Sequence, residues 1–443
     1  MLAYEDTSII VNCQGFQSRG VEYNLEKNKS VFLFLSERKA ETVHCPYCGE
    51  QVYEHGLFTY SLRDMPIIPK VEQYLHFQGH RYQCRKCHRT FNEEIPYRYA
   101  GTRITNRAAA WVKSLLQNKL TIRAIQEITG IHWETIRNIQ KQYMDKVLEN
   151  RQSELLKEGY HPKMLAVDEF AIHKGHSYAT CVMDLESGEV LWVGRGRAMA
   201  DFECFFQETD PEVFSSVEAV AMDMNASYNN LVEKYLPNAA IVYDRYHMQA
   251  QYGKDVLGVV RLAEARKHKE AARQLQENEQ EDKASRRQAR QQIKREQEQY
   301  SKLKKSRWTL LMNGAHLSEK GQTHLDNILR DHADLAICYA MKEEMIQLFD
   351  LRNTEEAYNR WSAWFEAAKT SGIEPLVKFA ALKEKRLQGL VAHAKYPIGT
   401  GKLEGFNNKI KVAKRIGYGY RNDDYFFTLI RFLSLKSSFY NFP

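Results

Sequence analysis

Four cysteines fall in two tight pairs, Cys45-Pro-Tyr-Cys48-Gly and Cys84-Arg-Lys-Cys87-His, with 35 residues between them. Two such knuckles can set four thiolates tetrahedrally around one ion, the arrangement of structural zinc. Gly49, directly after the first pair, suits the tight turn of a knuckle. A redox pair and four buried thiols are the competing readings. Redox CxxC motifs come singly and open a helix, and these do neither. His44 and His88 flank the pairs and could replace a thiolate ligand, but the four-cysteine set is preferred. Cys13, Cys181, Cys204 and Cys338 stand alone and read as small buried apolar side chains.

A second set is acidic. Asp168 ends the apolar run at 164–167, Asp223 ends the run at 217–222, and Asp244 ends the run at 240–243. Open α/β sheets put their sites at such strand exits. Glu404 lies on a predicted helix within Gly-Thr-Gly-Lys-Leu-Glu-Gly-Phe-Asn-Asn-Lys. Three carboxylates from separate segments can hold two divalent ions ~3.5–4 Å apart, which activate an attacking oxygen and stabilise a leaving oxygen in phosphoryl transfer. Oxygen ligands suit Mg²⁺, with Mn²⁺ as a substitute. Acids at strand ends are common, so this spacing alone is only suggestive. Glu169 sits beside Asp168, and strand alternation sends it to the other face. His173 and His176 read as turn residues.

The elements that carry these residues change character along the chain. Residues 1–100 read as strand-rich, with strands expected at 51–53 and 71–78. Helical period takes over at 101–150, with helices at 108–116, 121–129 and 133–147. Ile122, Ile125 and Ile128 share a face of the second, and Ile136, Ile139 and Tyr143 point inward from the third. Gly130-Ile131-His132 makes the turn. Short helix, glycine turn, longer helix is the helix-turn-helix pattern, although plain helical packing reads the same way. Were it a DNA reader, Trp133, Glu134, Thr135, Arg137 and Asn138 would open the recognition helix, with Lys141 one turn on. Residues 163–250 read as β-β-β-α-β-α-β. Between Pro237 and Pro375 there is no proline, so that span should be nearly all helix. Its 266–305 stretch, dense in Arg, Lys, Glu and Gln, reads as a solvated helical hairpin or coiled coil.

Composition sets the outer bounds. The 443 residues carry 63 Lys and Arg against 56 Asp and Glu, a net charge of +7. That excess permits a nucleic-acid partner without requiring one. It is concentrated, however. Residues 101–150 hold eight basic and four acidic residues, and 402–436 hold eight and three. The second stretch also interleaves Phe406, Tyr418, Tyr420, Tyr425, Phe426 and Phe427, a composition that fits either a nucleic-acid surface or a core. Eight cysteines are too few for a disulfide scaffold. No apolar run of about 18 residues exists to span a membrane. The opening MLAYEDTSII lacks the basic region of a secretory signal, so a cytoplasmic location is expected.

Taken in order, CPYCG…CRKCHRTF, the helix-turn-helix, AVDEFAIHKGHSYAT, AMDMNASYNN, VYDRYHM and GTGKLEGFNNKIKVAKRIGYGYRN form a set. In it the chain resembles, over nearly its whole length, an insertion-sequence transposase of the ISL-three type. The resemblance implies a multidomain α+β fold. A zinc-ribbon domain would occupy 1–100 and a helix-turn-helix 101–150. A ribonuclease-H-like α/β catalytic core at 155–250 and 396–443 would be interrupted by an all-helical insertion at 251–395. The family's three acids match Asp168, Asp223 and Glu404, and its DxxH motif matches Asp244 and His247, for which bracing or positioning is preferred over metal ligation. Asp223 is preferred to Asp244 as second acid because it follows the fourth strand. Asn407, Lys409, Lys411 and Arg415 follow Glu404 on its helix and are expected to hold phosphates. The implied activity is cleavage and strand transfer at the terminal inverted repeats of an element. It needs structural Zn²⁺, catalytic Mg²⁺, double-stranded end and target DNA in the bacterial nucleoid, and a homodimer to pair two ends. The alternatives are a zinc-ribbon and helix-turn-helix regulator with a non-catalytic core, and a structure-selective nuclease.

Overall fold

Two sheets organise the chain, one in each of two compact units, residues 1–154 with 436–443 and residues 155–435. The computed structural model describes residues 17–24, 30–36, 43–66, 71–95, 97–118, 120–173, 177–277 and 283–436. The opening segment MLAYEDTSII, Cys13 and His176 lie outside the described residues.

In the first unit, β1 (Gln17–Asn24), β2 (Ser30–Ser36), β3 (Val52–Asp64), β4 (Gln73–Cys84) and β5 (Thr90–Asn92) form a sheet ordered β1-β2-β4-β3, with β5 on β4. The strands around the cysteines are longer than their local patterns indicate. The β3–β4 ladder pairs residues antiparallel from Val52 opposite Cys84 to Asp64 opposite Gln73. Most of this ladder is only partly buried, and Leu62, Leu75 and Phe77 form its small core. Cross-strand pairing lengthens these strands where local hydropathy is too weak to mark them.

Three helices follow: α1 (Asn106–Gln117), α2 (Ile122–Thr129) and α3 (Trp133–Lys157). Thr105 and Thr121 cap the first two through their hydroxyls, and Gly130, at φ 66°, closes α2 in the left-handed conformation. Ile104, Ala108, Val112, Ile125, Ile131, Ile136 and Ile139 make their shared core. Ile128, grouped by spacing with Ile122 and Ile125, is instead exposed, because an eight-residue helix buries only a narrow stripe here. The end of β3 anchors the bundle. Buried Asp64 accepts from Thr105 Oγ1 at 2.6 Å, Gln73 Nε2 at 2.8 Å and Arg107 Nε at 2.7 Å.

The second unit is built on β6 (Met164–His173), β7 (Ser177–Asp184), β8 (Val190–Arg195), β9 (Ala219–Met222) and β10 (Ala240–Tyr243), ordered β10-β9-β6-β7-β8. β6, β7 and β8 are antiparallel neighbours, while β9 and β10 run parallel to β6. Alternation along β6 feeds two cores. Leu165 and Val167 pack with Phe202 and Phe205 of α4 (Met199–Glu208) and with Tyr228 and Leu231 of α5 (Ala226–Tyr235). Ala166, Phe170 and Ile172 pack on the opposite face with Leu403 and Ile410 of α14 (Gly401–Ile416) and with Phe426 and Ile430 of α15 (Asp423–Ser434).

Between β10 and α14 the chain is helical, as its lack of proline leads one to expect. α6 (Arg245–Tyr252) runs through a π-helical turn, Gly253–Leu257, into α7 (Gly258–Glu277), which packs beside α8 (Lys283–Lys305). The π-helical turn brings Gly253 close to Leu311: a Cβ on Gly253 would lie 2.3 Å from Leu311 Cδ2. α9 (Glu319–Asp331), α10 (Ala333–Leu348), α11 (Thr354–Thr370), α12 (Glu374–Glu384) and α13 (Leu387–Lys395) complete this segment. They enclose a core around Trp361, Trp364, Phe365 and Tyr252. Among the described residues, no helix is long and apolar enough to cross a membrane.

Candidate active site and metal centres

The β3–β4 ladder carries one cysteine pair at each end of its terminal rung. Val52 opposes Cys84, and Arg85 N–H donates to Gln51 O at 3.2 Å, so the two knuckles sit side by side. All four Sγ atoms lie within 4.8 Å of one another, with Cys45–Cys87 at 3.6 Å and Cys48–Cys84 at 3.5 Å. Four thiolates at ~2.3 Å from a tetrahedral zinc would stand about 3.8 Å apart, so the donor set and its spacing fit that ion. The residue after each pair, Gly49 at φ 74° and His88 at φ 56°, is left-handed, which turns the backbone around the sulfurs. The N–H groups of Lys86 and Cys87 donate to Cys84 Sγ at 3.3 and 3.4 Å. Donation from Cys87 above all, with that from Lys86, lowers the Cys84 thiol to about 6. His44 and His88 are outside this group. Cys181 and Cys338 are buried and Cys204 is half-buried.

Trp133 stands exposed at the start of α3, with the Arg137 guanidinium 5.8 Å from its ring centroid. Asn138 is exposed and Thr135 half-buried on the same helix. Lys141 is turned along the helix to Asp145, at 2.6 Å.

In the second unit the carboxylates gather. Asp168, expected to end its strand, lies midway along β6, which runs on to His173 because β7 pairs with it throughout. Asp223 and Asp244 directly follow the parallel strands β9 and β10, and Glu404 is in the first turn of α14. His247 joins three of these segments. Its Nδ1 is 3.3 Å from Asp223 Oδ2 and its Nε2 is 3.3 Å from Glu404 Oε1. Donor atoms of Asp244, His247 and Glu404 all lie within 4.8 Å of one another. Asp244 caps α6 by accepting the His247 N–H at 3.0 Å, and its other oxygen accepts the Thr400 N–H at 2.8 Å. Gly399 permits that approach, since a Cβ there would lie 2.8 Å from Asp244 Oδ2. Glu169 is half-buried beside Tyr228 and Asn225, and burial, with the charge of Asp223, pushes its carboxyl up.

Burial lifts the Asp168 carboxyl to about 6, opposed by the Glu169 N–H and the charge of His247. The hydrogen bond from His247 holds Asp223 below the usual carboxylate range. The same bond, with the charges of Asp223, Asp244 and Asp168, raises His247 to about 9. A protonated imidazole thus balances a concentration of negative charge that would otherwise be self-repelling.

Asn407, three residues beyond Glu404, is buried, and its Nδ2 donates to Asp168 Oδ2 at 2.7 Å. Its Oδ1 is a buried acceptor with no partner. The oxygens of Asp168, Asp223 and Glu404 suit a hydrated divalent cation such as Mg²⁺, whereas the group whose donor atoms all lie within 4.8 Å of one another is Asp244, His247 and Glu404, with an imidazole nitrogen among its donors. The other basic residues of α14 diverge. Lys409 reaches the Leu433 carbonyl, Lys411 is 3.3 Å from Asn408 Oδ1, and Arg415 is exposed. Sequence reasoning missed Lys383 of α12, a buried cation whose Nζ lies 3.3 Å from Met224 Sδ, next to Asp223, and which also donates to Gln251. No local signal marks it, because its partners are more than a hundred positions away.

Residues 165–430, which run from β6 through Glu404, match a family described as transposase, of the ISL3 type. Over 419 residues, 94% of this chain and 95% of the relative, it is 32% identical to the transposase for insertion sequence element IS1001 of Bordetella parapertussis. Over 262 residues, 59% of this chain and 57% of the relative, it is 25% identical to the transposase for insertion sequence element IS1557 of Mycobacterium tuberculosis. The class is therefore that of transposases, proteins that act on DNA. The chain belongs to the ISL3 family of insertion-sequence transposases.

Proposed function

We propose that this transposase cuts DNA at the terminal inverted repeats of its element and joins the freed ends to target DNA, using Asp168, Asp223 and Glu404 as a DDE set. The observation that carries this reading is the bridging of Asp223 and Glu404, 181 positions apart, by His247, with Asp168 tied to Glu404's helix through Asn407. The β-β-β-α-β-α-β order, with acids at the exits of parallel strands, supports a ribonuclease-H-like core split by a helical insertion. Two Mg²⁺ ions held by these carboxylates would polarise the scissile phosphate and stabilise charge on the attacking and leaving oxygens.

The chain's own residues have distinct tasks. Asn407 orients Asp168, and Asp244 ties the start of Glu404's helix to the exit of β10. His247 holds Asp223 and Glu404 at a common point. Lys411 and Arg415, exposed on Glu404's helix, hold backbone phosphates. Water attacks the phosphodiester at the element end, expelling its 3′ oxygen. The resulting 3′ hydroxyl then attacks a target phosphodiester, expelling the target's 3′ oxygen. The four-cysteine ribbon, with zinc bound, and the three-helix segment led by Trp133, Thr135, Arg137 and Asn138 grip the ends. A homodimer pairs two ends in the nucleoid.

The test is a labelled duplex of the element's flanking repeat, incubated with Mg²⁺ and with wild type or Asp168→Asn. Wild type should nick at the repeat boundary, and the variant should bind but not cut. Nicking at the wild-type rate by Asp168→Asn would remove the carboxylate assignment. Cutting governed by branched structure instead of the terminal sequence would favour the nuclease alternative. Binding without any cutting would favour the regulator.

A further inference from the structure

α14 begins at Gly401 and ends at Ile416, and its last turn is closed by an unusual residue. The Tyr418 N–H donates to Arg415 O at 3.2 Å and the Gly419 N–H to Lys414 O at 2.9 Å. This is the bond pair of a Schellman cap, in which glycine normally takes the left-handed position. Here Tyr418 takes it, at φ 50°. A side chain in that conformation costs energy and persists only where its surroundings hold it. The surroundings do hold it. Tyr420 stacks on Phe426 with ring centroids 4.7 Å apart, and its ring covers Gly417 so closely that a Cβ there would lie 2.6 Å away. The cap is pinned, and Tyr418 itself is 100% exposed. The ring contributes nothing to the core and occupies a position where glycine would be easier.

Its neighbours are cationic. Lys411 and Arg415 lie seven and eleven residues after Glu404, on the same helical face, and Arg421 follows the cap; all three are exposed. From Glu404 to Ile416, the last residue of α14, the helix runs twelve residues, about 18 Å, and Tyr418 lies just beyond its end. That span corresponds to roughly five to six base pairs of B-form DNA.

We propose that Tyr418 is a nucleobase-stacking site, which receives an unstacked base of the element end about six positions from the cut while Lys411 and Arg415 hold the intervening phosphates. This inference rests on the end-cleaving function proposed above. Base–aromatic stacking is tolerant of sequence, so Tyr418 would set the register of the strand, not its identity. Val412 and Ile416 are also exposed on α14, and a second copy of the chain is the rival occupant. Lys411, Arg415 and Arg421, exposed and in no ion pair among the described residues, favour the polyanion.

The experiment uses the full-length protein and a terminal-repeat duplex with 2-aminopurine placed in turn at positions one to ten from the cut. Wild type should bind, by anisotropy, and change the fluorescence at one position near the sixth. Tyr418→Phe should behave like wild type. Tyr418→Ala and Tyr418→Gly should bind about tenfold more weakly and lose that signal. Tyr418→Gly should melt no lower than wild type, because it relieves the backbone. If wild type does not bind the repeat, the end-cleaving function fails and takes this site with it. If wild type binds and Tyr418→Ala matches it in affinity and fluorescence, the stacking site alone is wrong. A fall in the DNA-free sedimentation coefficient of Tyr418→Ala would instead make this surface an interface between copies and overturn the proposal.

Discussion

Asp244 accepts the backbone N–H of Thr400 at 2.8 Å, a contact across 156 positions of chain. Its other carboxylate oxygen caps α6 through His247 N–H, so one buried side chain locates both the histidine and the helix that carries Glu404. Asp244→Ala should remove both bonds. Losing a cap costs about 1 kcal/mol, and leaving the Thr400 N–H unpaired in a buried setting adds roughly 1–3 kcal/mol. Thermal unfolding should move down accordingly, and end cleavage should fall with it. Asp244→Asn keeps one acceptor and should lie between. A melt of Asp244→Ala indistinguishable from wild type would refute the double tether.

Asn407 is expected to act through Asp168. Asn407→Ala takes away the one side-chain donor to that carboxylate among the described residues, while Asp168 stays buried. Residues that orient metal ligands typically alter affinity or activity by about 10–100-fold. The variant should therefore need more Mg²⁺ for half-maximal cleavage while binding end DNA normally. Asn407→Asp should be worse, because it sets a like charge against a carboxyl already raised to about 6. An unchanged Mg²⁺ dependence in Asn407→Ala would remove the orienting role.

How far these sites can be read from sequence depends on the range of the forces that build them. The cysteine knuckles and the strand exits at Asp223 and Asp244 are legible because spacing within a few residues determines them, while β6 runs past Asp168 to His173 on the strength of its pairing with β7. The face shared by Glu404 and Asn407 is legible too, from helical periodicity. The partner on that face is not. Asn407 is expected to hold a phosphate, and its amide is instead spent on Asp168, 239 positions away. Lys409 likewise turns to the Leu433 carbonyl, and Lys141 to Asp145. The length of β3 and β4 escapes detection because the ladder, not local hydropathy, sustains them. Lys383 and the π-helical turn at Gly253–Leu257 depend on packing among distant helices and leave no local trace.

The zinc site separates the two units experimentally. Purified wild type should carry about one zinc per chain, and the double variant Cys45→Ser/Cys84→Ser none. Loss of the ion should abolish amide protection along β3 and β4, whose fully buried core among the described residues is Leu62, Leu75 and Phe77. Protection in β6 and β9, buried between two cores, should persist. Hydrogen exchange read by mass spectrometry tests both halves. Undiminished zinc stoichiometry in the double variant would end the ribbon interpretation.

His247 makes the catalytic unit sensitive to pH in a direction that can be worked out. Its folded value of about 9 exceeds the ordinary 6.5, so the folded state binds the proton more tightly than the unfolded chain. That contribution to stability is fully present below about 6.5 and is lost as pH rises toward 9. Asp168, raised from 3.8 to about 6, acts in the same sense at lower pH, since its ionised form is disfavoured by burial. Metal-free protein should therefore lose stability as pH climbs from 6.5 to 9. A divalent cation at Asp223 and Glu404 would compete with this proton, because the imidazolium already pairs with both carboxylates. Affinity for Mg²⁺ should then rise over the same interval, with protons released on binding. Calorimetry in buffers of different ionisation enthalpy counts those protons directly. His247→Gln keeps a side chain of similar reach but cannot carry the charge, and should flatten both pH dependences. A wild-type Mg²⁺ affinity that is constant from pH 6.5 to 9 would show that the proton and the metal do not share the site.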